Sequence, residues 1–126
     1  MSGYLLIVDD CMSIRILLQE ALEEAGFVTK TVASGAECLR YSFSKEPPSL
    51  ILLDWQMPGL TGTEILNLLK ADERTEHIPV IMITGEQGVE DQVLDSGAYA
   101  FLGKPVDLDR LLAQVRGALG METHFK

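Results

Sequence analysis

The chain has 126 residues, 47% of them hydrophobic, and a formal net charge of −9. That length suits one compact domain with one core; no apolar run approaches the ~18 residues of a membrane-spanning helix, and the N-terminus lacks the basic region and apolar segment of a secretory signal. A cytoplasmic protein is therefore expected, and the acidity argues against direct binding to nucleic acid or to an anionic membrane, both of which need clustered Lys and Arg.

The pattern alternates strand and helix throughout. Strand 1 is expected over Tyr4–Asp9 and helix 1 over Met12–Ala25, with Ile14, Leu17, Leu18, Ala21, Leu22 and Ala25 as its apolar face and Gly26 as its stop. Strand 2 follows over Phe27–Val32. Ser34 is placed to cap helix 2 at Gly35–Ser44, and Pro47-Pro48 breaks the chain before strand 3 at Leu50–Asp54. Helix 3 is expected over Thr63–Ala71 with Ile65, Leu66, Leu68 and Leu69 facing the core. Strand 4 is Pro79–Thr84. Helix 4 falls between Gly88 and Ser96 on few apolar anchors: Val89, Val93 and Leu94. Strand 5 is Ala100–Leu102, and helix 5 begins after Asp107 with Leu108, Leu111, Leu112, Val115 and Leu119 at helical spacing. Cys11 and Cys38 have no CxxC spacing and no nearby histidine, and read as buried reduced thiols.

Five strands alternating with five helices imply an α/β fold: a three-layer, doubly wound (βα)5 domain with a parallel five-stranded sheet. Of the common orders, the flavodoxin-like 2-1-3-4-5 suits this chain, and its switch point lies between strands 1 and 3. Ligands of open α/β sheets bind beyond the carboxyl ends of the strands. Asp9, Asp10, Asp54, Thr84 and Lys104 all fall at such ends.

Three carboxylates at adjacent strand ends repel one another unless a cation or proton neutralises them. A hard divalent ion such as Mg²⁺, with one or two carboxylates, waters and phosphate oxygens as ligands, answers that need. Asp54 then has the chemistry of a nucleophile that forms an aspartyl phosphate. Lys104 would pair with a phosphate oxygen, and Thr84 would donate its hydroxyl to another. Taken singly, each residue also has a plain structural role open to it. Asp10 suits a cap of helix 1, Lys104 a solvated surface position, Thr84 a turn before Gly85 and Phe101 a core aromatic. Asp54, directly after Leu-Ile-Leu-Leu, is the hardest to place in a surface role.

The paired acids Asp9-Asp10, the segment Leu53-Asp54-Trp55-Gln56-Met57-Pro58-Gly59 with Gly62 beyond it, Thr84 and Lys104-Pro105 together resemble a response-regulator receiver domain of bacterial two-component or phosphorelay signalling. The resemblance covers Tyr4–Leu119. It implies that Asp54 is the phosphoacceptor, that Asp9, Asp10, Asp54 and the backbone carbonyl of Gln56 hold Mg²⁺, and that Lys104 binds the phosphoryl group. It further implies that Thr84 and Phe101 form a switch pair and that the Lys104-Pro105 bond is cis. The donor would be a phosphohistidine on a sensor histidine kinase or a histidine phosphotransferase, docked on helix 1 near Met12, Ile14 and Leu18. The signal would leave through the surface of helix 4, strand 5 and helix 5, to a downstream protein target or a C-terminal output domain. Such a domain is not an enzyme, although it assists its own phosphorylation and dephosphorylation.

Two features depart from the family's common pattern. Thr84 and Lys104 are twenty positions apart, a slightly short interval, which predicts a short helix 4 or a trimmed entry loop. Gln56 borders the path of a hydrolytic water. Residues 1–120 are expected to form the receiver domain, with 121–126, including His124, as a tail or the start of a linker; both a stand-alone phosphorelay shuttle and the front of a longer regulator fit. Three other classes compete. A flavin-binding protein would need a Ser/Thr/Gly-rich phosphate loop where Asp9-Asp10-Cys11-Met12 stands. An aspartyl phosphohydrolase would carry a second acid where Gln56 stands. A degenerate receiver would act only as a phosphorylation-independent scaffold.

Overall fold

A computed structural model describes residues 3–121, so His124 and the rest of the tail lie outside the described residues. The elements are β1 (Leu5–Val8), α1 (Met12–Glu24), β2 (Thr29–Val32), α2 (Gly35–Ser42), β3 (Leu50–Asp54), α3 (Gly62–Lys70), β4 (Val80–Thr84), α4 (Glu90–Asp95), β5 (Ala100–Gly103) and α5 (Leu108–Ala118). The strands pair in parallel in the order β2-β1-β3-β4-β5. This is the three-layer doubly wound arrangement expected from the alternation of elements. Among the described residues no helix is long and apolar enough to cross a membrane.

The three central strands are apolar at nearly every position because helices cover both faces of the sheet. Leu5–Val8, Leu50–Asp54 and Val80–Thr84 are buried without interruption. Side chains alternate between faces, so the core forms two layers. Leu5, Ile7, Leu50, Leu52, Ile81 and Ile83 pack with Leu18 and Leu22 of α1 and Leu111 and Val115 of α5. Leu6, Val8, Ile51, Leu53, Val80 and Met82 pack with Cys38 of α2, Ile65 and Leu69 of α3, and Val93 of α4. Each fully buried Leu, Ile or Val contributes about 1.5–3 kcal/mol against leaving it in water. The edge strand β2 keeps Lys30 exposed, which blunts pairing with another chain.

Capping follows the sequence closely. Ser34 Oγ accepts from the Glu37 N–H at 3.2 Å. Thr61 and Glu64 form a reciprocal capping box at the start of α3. Asp107 accepts from the Asp109 and Arg110 N–H groups. Gly26 takes φ of +100° just after α1, a left-handed conformation that glycine adopts without penalty.

Several expectations need correction. Leu17, expected on the buried face of α1, is exposed, as is Ile16; Leu18 and Leu22 carry the helix onto the sheet. Leu68 and Leu94 are exposed rather than in the core. Cys11 is exposed, whereas Cys38 is buried as expected. Asp10 does not cap α1: its N-cap is Cys11, which makes no side-chain cap bond. Helix α4 is six residues long, in keeping with the short interval between Thr84 and Lys104.

Candidate functional site

The parallel register brings the first two acids together. Val8 lies beside Leu53 across β1 and β3, so the next residues, Asp9 and Asp54, leave the sheet side by side. Asp10 follows in the β1–α1 turn. One carboxylate oxygen from each of Asp9, Asp10 and Asp54 lies within 4.8 Å of the others. Asp9 and Asp54 are buried, and Asp10 is exposed.

Lys104, one residue past β5, reaches across to this cluster. Its Nζ stands 3.3 Å from Asp9 Oδ2 and 3.4 Å from Asp54 Oδ1. One cation thus bridges two acids and leaves an acidic excess. The Lys104–Pro105 peptide bond is cis. Burial pushes the Asp54 carboxyl up to about 6, and the charge of Asp9 adds to the rise; Lys104 and the Gln56 N–H work against it. Burial acts to lower Lys104, but Asp54 and Asp9 together carry it above the ordinary lysine value.

Asp9 is held on every side. Its N–H donates to the Val32 carbonyl at 3.2 Å. Its Oδ1 accepts from the Cys11 N–H at 2.9 Å. Its carbonyl accepts from Arg15 Nη1 at 2.7 Å. Asp54 Oδ1 accepts from the Gln56 N–H at 3.2 Å as well as from Lys104. Gly62 closes the turn after β3. Its N–H donates to the Trp55 carbonyl at 3.1 Å, and an added Cβ would lie 2.9 Å from Trp55 Cα and 3.0 Å from the Asp54 carbonyl oxygen.

Thr84 ends β4, and by strand alternation falls on the side of Val80 and Met82, which pack in the α2–α3–α4 layer. Phe101, half-buried, packs against the same layer as Thr84, and pairs with Met82, two positions before Thr84. Thr84 Oγ1 accepts from the Glu86 N–H at 2.9 Å, so the turn role is real, whatever else the hydroxyl does. The structure therefore gathers Asp9, Asp10, Asp54 and Lys104 into one cluster, and sets Thr84 and Phe101 on one neighbouring face.

Two contacts at the site carry little or no sequence signal. Gln56 Nε2 donates to Glu86 Oε1 at 2.9 Å, joining the β3–α3 and β4–α4 loops. The two residues are thirty positions apart, and nothing in either segment announces the pairing. Arg15 offers a weak sign, since it lies one helical turn from the start of α1 and so faces back toward the β1–α1 turn.

A doubly wound sheet of order 2-1-3-4-5 with its acids at the β1/β3 switch point defines the class: a flavodoxin-like α/β domain whose working end is an acidic crevice. Within that class the chain belongs to the response regulator receiver domain family, whose model matches residues 5–116. It is 39% identical over 128 residues to the response regulator PleD of Caulobacter vibrioides, covering 100% of this chain and 27% of that protein. The chain thus spans about a quarter of the length of these PleD relatives. It is 33% identical over 122 residues to the polar-differentiation response regulator DivK of Brucella ovis, covering 95% of this chain and 98% of DivK. The chemotaxis response regulator CheY4 of Vibrio cholerae superposes with a TM-score of 0.85 at 30% identity, covering 94% of this chain and 100% of that one.

Proposed function

We propose that this receiver domain takes a phosphoryl group onto Asp54 from a phosphohistidine on a sensor histidine kinase or histidine phosphotransferase, and that the transfer alters the surface of α4, β5 and α5. The observation that carries the reading is the meeting at one crevice of three carboxylates, with oxygens within 4.8 Å of one another, and a lysine bridging two of them. The donor set is entirely hard oxygen and short of positive charge, which fits Mg²⁺. Asp9, Asp10, Asp54 and the Gln56 backbone carbonyl are the groups assigned to hold it. When bound, the ion supplies charge that screens an anionic donor from an anionic acceptor.

Asp54 Oδ1 is engaged by the Gln56 N–H and by Lys104, which leaves Oδ2 as the attacking atom. A carboxyl at about 6 is ionised in most molecules near neutral pH yet more basic than a solvated aspartate, a combination suited to a nucleophile. The donor's N–P bond breaks as the Asp54 O–P bond forms, and the imidazole nitrogen keeps the electron pair. Lys104 then exchanges a carboxylate oxygen for a phosphoryl oxygen, acting as a point charge. The Thr84 hydroxyl accepts from Glu86 but keeps its own proton, which it can donate to a phosphoryl oxygen after turning. Phe101, on the same face as Thr84, fills the space that turn leaves. The switch is thus a local charge change biasing a two-state element.

The donor protein is assigned to the N-terminal part of α1, where Met12 and Ile16 are exposed; of the other side chains expected in this patch, Leu18 is buried in the core and Ile14 packs against it. Sparse contact of this kind suits a transient encounter. The output is a downstream protein or an attached C-terminal domain. Intact-protein mass after incubation with acetyl phosphate and Mg²⁺ tests the reading. A single phosphoryl adduct that disappears with EDTA and in Asp54→Ala supports it. An adduct retained by Asp54→Ala means that the acceptor is another residue. No adduct in wild-type protein that binds Mg²⁺ favours a scaffold, or a site that only its cognate donor can load.

A further inference from the structure

The three acids are not held alike. Asp9 is buried and fixed by bonds to its N–H, its carbonyl and both carboxylate oxygens. Asp54 is buried, with Oδ1 engaged twice. Asp10 is exposed, and among the described residues no hydrogen bond or ion pair holds its carboxylate. Yet an Asp10 oxygen lies within 4.8 Å of the other two acids. Something other than its own side chain must set its direction.

The peptide group between Asp9 and Asp10 supplies the means. Its carbonyl belongs to Asp9 and its nitrogen to Asp10, and the six atoms of a peptide group are coplanar. Fixing the direction of the Asp9 carbonyl therefore fixes the plane from which the Asp10 Cα and side chain project. Arg15 Nη1 donates to that carbonyl at 2.7 Å, a short bond from a charged donor. The Arg15 backbone is itself fixed by the bond from its N–H to the Cys11 carbonyl at 3.1 Å, so the guanidinium is anchored to the turn it restrains.

We infer that Arg15 is a positioning residue for the acid pair: by holding the Asp9 carbonyl it locks the Asp9–Asp10 peptide plane and aims the unheld Asp10 carboxylate at Asp54. The inference rests on the reading of Asp9, Asp10 and Asp54 as a cation seat. Electrostatics gives it a sharp sign. A guanidinium near a seat for Mg²⁺ repels the ion, so if Arg15 were only a nearby charge, removing it would tighten binding. A positioning role requires the reverse, because a mis-aimed Asp10 costs the ion a ligand. Partners that orient metal ligands typically matter on the order of 10- to 100-fold in affinity.

The test is calorimetric titration of Mg²⁺ into wild-type, Arg15→Met and Arg15→Lys proteins, with urea midpoints measured on each. Arg15→Met keeps an unbranched apolar stem but removes the donor and the charge. Arg15→Lys keeps the charge and a single donor on a shorter reach. Arg15→Met is expected to bind Mg²⁺ roughly tenfold more weakly, and Arg15→Lys to fall between it and wild type. Acetyl phosphate labelling of either should approach the wild-type rate once Mg²⁺ is saturating. Equal or tighter binding by a folded Arg15→Met overturns the inference and leaves the proposed function standing. If Arg15→Met does not fold, Arg15→Lys decides alone: wild-type affinity or better overturns the inference, and weaker binding supports it. Wild-type protein that takes up no Mg²⁺ overturns the metal seat itself, and the Arg15 inference with it.

Discussion

Replacing Asp54 by asparagine should stabilise the metal-free protein, and by an amount that grows with pH. The cause is the position of the carboxyl: burial and the Asp9 charge push it up to about 6, against an ordinary 3.8. The folded protein therefore binds this proton more tightly than the unfolded chain does. Below 3.8 both states are protonated and the group is neutral to stability. As pH rises through the window from 3.8 to about 6, the unfolded chain gives up the proton first and stability falls. Above that window the folded state carries the whole deficit. At about 1.4 kcal/mol per pH unit, the full gap amounts to about 3 kcal/mol. Linkage over the same interval gives roughly 1 kcal/mol at pH 4.5 and roughly 3 kcal/mol at pH 7.5. Asparagine cannot ionise and is free of the deficit. Urea denaturation of wild type and Asp54→Asn in EDTA, at both pH values, reads the difference directly. A stabilisation that stays flat with pH, or a variant less stable than wild type at pH 7.5, refutes the argument that burial and Asp9 strain this carboxylate.

The same protein makes further tests available. Saturating Mg²⁺ should raise the urea midpoint of wild type more than that of Asp54→Asn, since binding to the folded state alone stabilises by mass action; equal gains would place the ion elsewhere. Lys104→Met should push the Asp54 carboxyl above its present value of about 6, because the cation opposing the rise is gone, and NMR titration of the Asp54 carboxyl carbon should show the upward move. Gly62→Ala should cost about 1–3 kcal/mol, the usual range for overpacking, because the new methyl meets not only the Met82 side chain, which can shift, but also backbone atoms of Trp55 and Asp54; a urea midpoint within error of wild type would mean the turn gives way easily. Ellman's reagent should find one fast thiol and one that reacts only on unfolding. Cys11 is exposed and its thiol is lowered by the Ser13 hydroxyl, while burial pushes the Cys38 thiol up to about 12.

What the sequence showed well follows from periodicity on the sheet. A strand covered on both faces needs apolar residues at every position, so Leu5–Val8 and Leu50–Leu53 announce themselves, and the acid ending each run is conspicuous. Helix faces were harder, because an apolar residue can lie near the buried arc without joining it. At about 100° per residue, Leu17 sits roughly 100° from Leu18, and it points to solvent while Leu18 is covered. Leu68 lies roughly 60° outside the arc spanned by Ile65, Leu69 and Leu66, and it too is exposed. Leu94 is one residue round from the buried Val93. Composition flagged all three as apolar; only the packed layer shows which arc is used. Within the site, the four charged residues were legible because each lies at, or within two residues beyond, the end of an apolar strand. The Gln56–Glu86 and Arg15–Asp9 bonds were not, because each depends on two loops or a turn and a helix meeting in space.

The site and the core draw on the same residues with opposite effect. Leu50 and Leu52 stabilise the sheet by leaving water, and burial at the end of the same strand, with the charge of Asp9, is what strains the Asp54 carboxylate. A more soluble strand would relax that strain, but it would also make Asp54 an ordinary solvated acid with no reason to prefer a phosphoryl group or a cation over water. Lys104 relieves part of the load, and because it is shared between Asp9 and Asp54 it cannot relieve all of it. The remaining negative charge is therefore a standing bias in the resting fold. Any event that brings positive charge to the crevice relieves a bias already built into the protein. That is why the energetic response should centre on β1, β3 and β5, the strands that lead to Asp9 and Asp10, to Asp54 and to Lys104, and should weaken toward β2, which contributes no charged side chain to the cluster.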